Sequence, residues 1–146
     1  MPNLMGSYSP NDVSVVVNGI PIQGFAEGSF VDFAFDTDAA TMVEGADGFA
    51  AVAMKKGNRK ATLTLSLMQT SMANNVLQAL LTSQQAASFA GAFPSIIVLN
   101  AQGGELVQIP RAVIAKEPDV KYSGDIESRE WKFVGQAKTE TLGYGV

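Results

Sequence analysis

Thr62-Leu63-Thr64-Leu65-Ser66-Leu67 places Leu at every odd position and a hydroxyl residue at every even one. A period of two is the pleat of a β-strand, so this segment is half-buried, with one apolar face and one neutral, wettable face. Upstream, Ser29 to Asp36 repeats the pattern, with Phe33 and Phe35 alternating against Asp32, Ala34 and Asp36. Between the two strands lie Thr41-Met42-Val43-Glu44, the turn Gly45-Ala46-Asp47-Gly48, an apolar return from Phe49 to Met54, and a basic loop from Lys55 to Lys60. Nearer the N-terminus, the β-branched run Val13 to Val17 ends at Asn18-Gly19, a pair that accepts positive φ and signals a hairpin. Ile20 and Ile22 alternate on the return strand, where Pro21 marks an edge.

Downstream the period changes. Met72, Val76, Leu77, Leu80 and Leu81 share one stripe at helical spacing, and Thr70 or Ser71 supplies a capping hydroxyl, so a core-packing helix is expected over about 71–88. Strands resume at Ser95 to Leu99 and from Glu105 to Ala115, where Pro110 implies an edge or a bulge. A last strand runs from about Ile126 to Ala137, with Trp131 and Phe133 on one face and Ser128, Glu130, Lys132 and Val134 on the other. Strands dominate and one helix lies between them. The fold class is therefore mainly β, a sandwich or barrel with one flanking α-helix. The organisation is an N-terminal arm over 1–12, a β-domain over 13–138, and a loose C-terminal tail over 139–146.

Composition narrows the chemistry. The 146 residues suit a single domain, and they include no cysteine and no histidine. Disulfides, thiol or imidazole zinc sites, and Cys–His or Ser–His–Asp catalysis are all excluded. The net charge of −4 argues against gripping nucleic acid through a basic face. The first residues lack the charged and apolar regions of a signal peptide, and no apolar run approaches the ~20 residues of a membrane span, so a soluble protein made in the cytoplasm is expected. Charged residues are 16% of the chain and apolar ones 47%, a shortage of surface charge that fits a subunit covered by neighbours.

The acidic candidates are Asp32, Asp36, Asp38, Glu44 and Asp47. Paired carboxylates can run glycosidase chemistry or hold Ca²⁺, but Asp36-Thr37-Asp38 is followed by Ala40, with no further oxygen ligand and no glycine in time. These acids read as a solvated face, and Gly45 to Gly48 as a turn, since no GK[ST] follows. No catalytic, cofactor or metal residue emerges. The basic cluster Lys55, Lys56, Arg59 and Lys60 has three readings: a phosphate contact, a solvated hairpin tip, or a docking surface for an acidic neighbour. Residues 1–54 carry seven acidic residues and no basic one, which favours docking. A subunit with an acidic half and a basic loop stacks head-to-tail on its own copies, and such heterologous contacts give rings or filaments.

Four stretches then carry a family likeness: Tyr8-Ser9-Pro10-Asn11-Asp12-Val13 with Asn18-Gly19 and Gly24-Phe25-Ala26; Gly45-Ala46-Asp47-Gly48; Leu63-Thr64-Leu65 through Leu67-Met68-Gln69-Thr70-Ser71 to Asn75-Val76-Leu77; and Pro118-Asp119-Val120 with Arg129-Glu130-Trp131. In this order they span nearly the whole chain. The sequence resembles the short, single-domain tail tube family of tailed bacteriophages with contractile tails.

The resemblance implies a structural virion protein and no enzyme. It implies hexameric rings with a continuous inner β-barrel, stacked into a tube for genome delivery. It also implies a hairpin (here Asp38 to Lys60) and the arm 1–12 reaching into the next ring, with Asp47, Lys55, Lys56, Arg59 and Lys60 at the inter-ring contact. The implied partners are copies of the chain itself, a tail sheath, a tape-measure protein, a baseplate hub and a tail terminator, with DNA passing through unbound and no membrane or cofactor involved. If each of six subunits gives four strands, roughly 24 strands at about 4.8 Å make a backbone diameter near ~37 Å, widened by strand tilt. A neutral or acidic lining lets DNA slide, and Asp32, Asp36, Thr62, Thr64 and Ser66 are the candidates to face such a lumen. Two readings of another kind remain: the tube of a related contractile injection device such as a bacteriocin or secretion system, and a monomeric ligand-binding β-barrel. A carboxylate hydrolase is disfavoured by the scattered acids.

Overall fold

A computed structural model describes residues 10–54, 59–87, 93–101 and 104–141. A 3-10 turn at Pro10–Asp12 leads into β1 (Val13–Val17), β2 (Ile20–Pro21), β3 (Val31–Phe35), β4 (Ala40–Glu44), β5 (Ala50–Met54) and β6 (Arg59–Met68). Then come α1 (Ala73–Ala87), β7 (Ile96–Asn100), β8 (Glu105–Ile109), β9 (Ala112–Lys116) and β10 (Ser128–Thr141). Eight strands make one antiparallel sheet in the order β2-β1-β7-β8-β10-β6-β3, with β9 also on β10, while β4 and β5 pair only with each other.

The strands form where the alternation places them. Leu63, Leu65 and Leu67 are fully buried along β6, and Trp131 and Phe133 cover them from β10. The other half of the sheet adds Val15, Val17, Ile96, Val98 and Ile109 to the same core, and the helix adds Ala73, Leu77 and Leu81. Asn18 and Gly19 take φ of 51° and 81°, the two positive angles that a tight hairpin with the right twist needs.

β10 unites the two halves. Its residues 128–137 pair with β6, and its residues 138–141 pair with β8. Along the edge shared with β8, residues 132–135 pair with β9. At the turn between these partners the chain crosses Gly135 so closely that a Cβ there would lie 2.6 Å from the Arg111 carbonyl oxygen and 2.7 Å from Ile109 Cγ2. Pro110 is thus a full break rather than a bulge. It splits the expected 105–115 strand into β8 and β9, each on a different stretch of β10. The free edge of β9 is closed from the helix: Gln84 Oε1 accepts from the Ile114 N–H at 2.9 Å, and Gln84 Nε2 donates to the Ile114 carbonyl at 3.1 Å.

Two further expectations change. The helix starts at Ala73, capped by Ser71, whose Oγ accepts from the Ala73 N–H at 3.2 Å. Met72 therefore precedes the helical turns and is 77% exposed, and Ala73 heads the buried stripe in its place. The final strand runs to Thr141, because β8 offers it a partner past Ala137, so residues 139–141 are strand rather than loose tail. Residues 1–9 of the arm and 142–146 of the tail lie outside the described residues. At the helix start Asn74 joins three elements: Nδ2 donates to the Met68 carbonyl at 2.9 Å, and Oδ1 accepts from the buried Trp131 indole N–H at 3.0 Å.

Replacing Gly135 by Ala forces a side chain against backbone and should lower stability by about 1–3 kcal/mol. Gly124, with open space around it, should tolerate Ala within about 0.5 kcal/mol. Chemical denaturation of the two variants checks the pair.

Candidate assembly surfaces

β4 and β5 continue the β3–β6 ribbon beyond the body of the protein. The Asp36 N–H still donates to the Lys60 carbonyl at 2.9 Å, and the hairpin resumes with Ala40 opposite Met54 and Glu44 opposite Ala50. Every residue of both strands is exposed. Met42 is 69%, Phe49 77% and Met54 65% accessible, on a hairpin whose other side chains are mostly Ala, Val and Thr. Large apolar side chains gathered on one projecting element mark an interaction site, because water is a poor solvent for them. The tip is well formed. Gly45 N–H donates to the Phe49 carbonyl at 2.7 Å and Gly48 N–H to the Gly45 carbonyl at 3.0 Å, with Gly48 at φ 88°. A turn closed by a left-handed glycine is a favoured hairpin end.

The second surface is the outward face of β3, β6, β10 and β9. Pairing sets Asp32 opposite Thr64, Thr64 opposite Lys132, and Lys132 opposite Lys116. Asp36, just past β3, accepts from the Thr62 hydroxyl at 3.0 and 3.1 Å. Asp32 and Asp36 are exposed, and Thr62 and Thr64 are half-buried beside them. Ser66 is a correction: at 7% exposure it is buried in its own subunit and cannot face a lumen. The segment between β2 and β3 crosses β6 there, with the Ser66 N–H donating to the Phe30 carbonyl and its carbonyl accepting from Ala26. Lys132 and Lys116 were not among the candidates, although the alternation around Trp131 already put Lys132 on the outer face. They make this face mixed in charge rather than neutral or acidic.

The expected inter-ring group is dispersed. Asp47 is at the tip, where it accepts from the Phe49 N–H at 3.3 Å. Arg59 is engaged within its own subunit: its guanidinium lies 3.8 Å from the Phe35 ring centroid and Nη1 donates to the Thr37 carbonyl at 3.1 Å. Lys60 is exposed opposite Gln136. Lys55 and Lys56 lie outside the described residues. Among the described residues no three carboxylates gather to hold a metal ion, and no helix is long and apolar enough to cross a membrane.

A β-domain with a buried core, a polar four-stranded face and an apolar hairpin left uncovered is a subunit built for an assembly. The chain belongs to the Bacteriophage PhiTE tail tube protein family, whose profile matches residues 5–143. It is 31% identical over 137 residues to the structural protein ORF10 of Pseudomonas phage KPP10, covering 90% of this chain and 79% of that protein. In fold it is similar to a chain of the sheath–tube complex of the extracellular contractile injection system PVC, with a TM-score of 0.58 at 13% identity over 93% of each chain. It is also similar to a chain of the native gene transfer agent virion, with a TM-score of 0.58 at 16% identity over 91% of this chain and 97% of that one. The mainly β fold with one helix and the tail tube resemblance are both borne out. The protein is a structural component of a phage tail, and its place is the virion.

Because every residue of both hairpin strands is exposed, limited proteolysis of the free subunit should cut first between residues 40 and 54 and leave the eight-stranded body intact. Initial cleavage within β6 or β10 would contradict this.

Proposed function

We propose that six copies of this chain close into a ring and that stacked rings form the inner tube of a contractile phage tail, enclosing a channel for genome delivery. The hairpin carries the reading. A two-stranded ribbon alone in water is marginal, and one with Met42, Phe49 and Met54 exposed gains a stable place only by burial against another subunit. The outward face of β3, β6, β10 and β9 lines the channel, and a barrel of roughly 24 strands is wide enough for duplex DNA. Sheath, tape-measure protein, baseplate hub and terminator are the partners such a tube requires, and the role involves no catalysis.

Negative-stain electron microscopy of the concentrated protein should show rings or hollow tubes. Monomers that persist at high concentration even with baseplates added as nuclei would sink the reading and restore the monomeric ligand-binding barrel. The tube of an injection device without DNA is the other reading, favoured by the similarity of fold to the PVC sheath–tube complex. DNA protected inside tubes of mature particles decides against it.

In the proposed wall Asp32 and Asp36 face the channel and repel phosphate. Asp32→Lys with Asp36→Lys should slow DNA ejection, most strongly at low salt, because new counterion-releasing contacts form. Tubes should still assemble. Ejection kinetics in virions carrying both changes test this, and unchanged rates at low salt would remove these residues from the lumen.

A further inference from the structure

On the face that lines the channel, charge is sorted by strand. We propose that Lys132 and Lys116, with Lys60 further along the same face, form a lane that touches DNA phosphates during passage, so that each subunit sets a basic lane beside an acidic one. The proposal deepens the tube reading and rests on it.

Strand pairing fixes the lanes. In one row across the face, Asp32 stands opposite Thr64, Thr64 opposite Lys132, and Lys132 opposite Lys116. Asp32 is thus two strand spacings, about 10 Å, from Lys132. A second basic row lies further along β10, where exposed Lys60 is opposite Gln136 and Arg111 shares a cavity wall with Gln136. The two rows are about 13 Å apart along the strand. Between them Thr62, Val134 and Val113 carry no charge. The acids keep to the β3 margin, at Asp32 and Asp36, and to Glu130 at the other end of the lane.

The lysine row is left wanting an anion. Like charges directly opposite each other on neighbouring strands cost a sheet stability. Among the described residues Lys132 has no ion-pair partner, and Lys116 reaches Asp119 at 3.8 Å with the two side chains 63% and 69% exposed. An ion pair so open to water is worth little, so both ammonium groups stay available to a partner. An anion lying over the row relieves their repulsion. The net charge of −4 hides this lane, because most of the acids lie elsewhere on the chain.

A duplex is the matching anion. It carries one charge per about 1.7 Å of its axis, so every register brings phosphates to both rows. Lysine also suits a moving partner. It is a hydrated point charge on a flexible stem, without the rigid fork by which arginine locks onto a phosphate. Contacts of this kind ignore base sequence and release counterions. The lane therefore sets friction, which slows passage at low salt and fades as salt screens it.

Virions carrying Lys132→Gln with Lys116→Gln test the lane. Wild-type ejection should quicken as salt rises. The double variant should eject about threefold faster than wild type at low salt and match it at high salt, losing most of the salt dependence. Lys132→Arg with Lys116→Arg keeps the charge and should keep that dependence. The soluble double glutamine subunit should melt no lower than wild type, because a like-charge pair has been removed. Wild-type salt dependence in the glutamine virions overturns the lane and leaves the tube reading standing. A changed tail length with wild-type ejection gives the strip to a protein occupant of the channel and overturns the phosphate contact. A second arm needs no virion. Wild-type tubes should cosediment a short linear duplex at low salt, and tubes of the glutamine variant should retain about fivefold less. Equal retention overturns the contact. Wild-type protein that never assembles, with or without baseplates, overturns both the lane and the tube.

Discussion

The close crossing of backbone over backbone at Gly135 is the constraint on which the other features depend. β10 must pair with β6, β9 and β8 along fourteen residues, which one strand can do only if the partner chain changes direction beside it. Pro110, lacking an N–H, ends one strand, and Gly135, lacking a Cβ, lets the turn pass. The two halves of the sheet are thereby closed over one core instead of splaying. The closure also leaves a corner with apolar walls and an exposed arginine on the surface. A single packing requirement thus shapes both the stability of the subunit and the surface it offers to others.

The distribution of burial follows the demands of assembly. Leucines of β6, aromatics of β10 and the stripe of α1 are sealed from water inside the subunit. Beyond Asp36 the same ribbon carries apolar side chains of comparable size that are exposed. A monomer that kept this arrangement indefinitely would be prone to association, and in a tube subunit association is the purpose. Where a free strand edge would invite unwanted pairing, the fold closes it: the Gln84 side chain occupies the Ile114 N–H and carbonyl on β9.

Much of this was legible in particular residues. Alternation at Thr62 to Leu67, the Asn18-Gly19 pair, the Gly45 to Gly48 turn and the Trp131-Phe133 face all specify local geometry, and each forms the element its pattern demands. The ordered set of stretches identified the tail tube family. What was missed shares a different character. Ser66 sits on the hydroxyl face by period, yet the segment before β3 folds across it. Met72 is on the helical stripe by spacing, yet the helix starts one residue later because Ser71 supplies the cap. Arg59 belongs to a basic run by sequence, yet Phe35 and Thr37, on and just past the neighbouring strand, hold it.

The sequence by itself determined which segments are strands, which one is a helix, where the tight turns fall and which faces are apolar, because these follow from backbone sterics and side-chain periodicity within a few residues. Tertiary structure alone decided which residues on a polar face stay open to water, that Arg59 is held within its own subunit, and that Pro110 divides one strand into two. Those outcomes depend on contacts between segments twenty to sixty residues apart, such as Gly135 against Arg111 or Trp131 against Asn74. Local propensity carries no record of such encounters, since burial and close approach are properties of the packed chain and not of the neighbours along it.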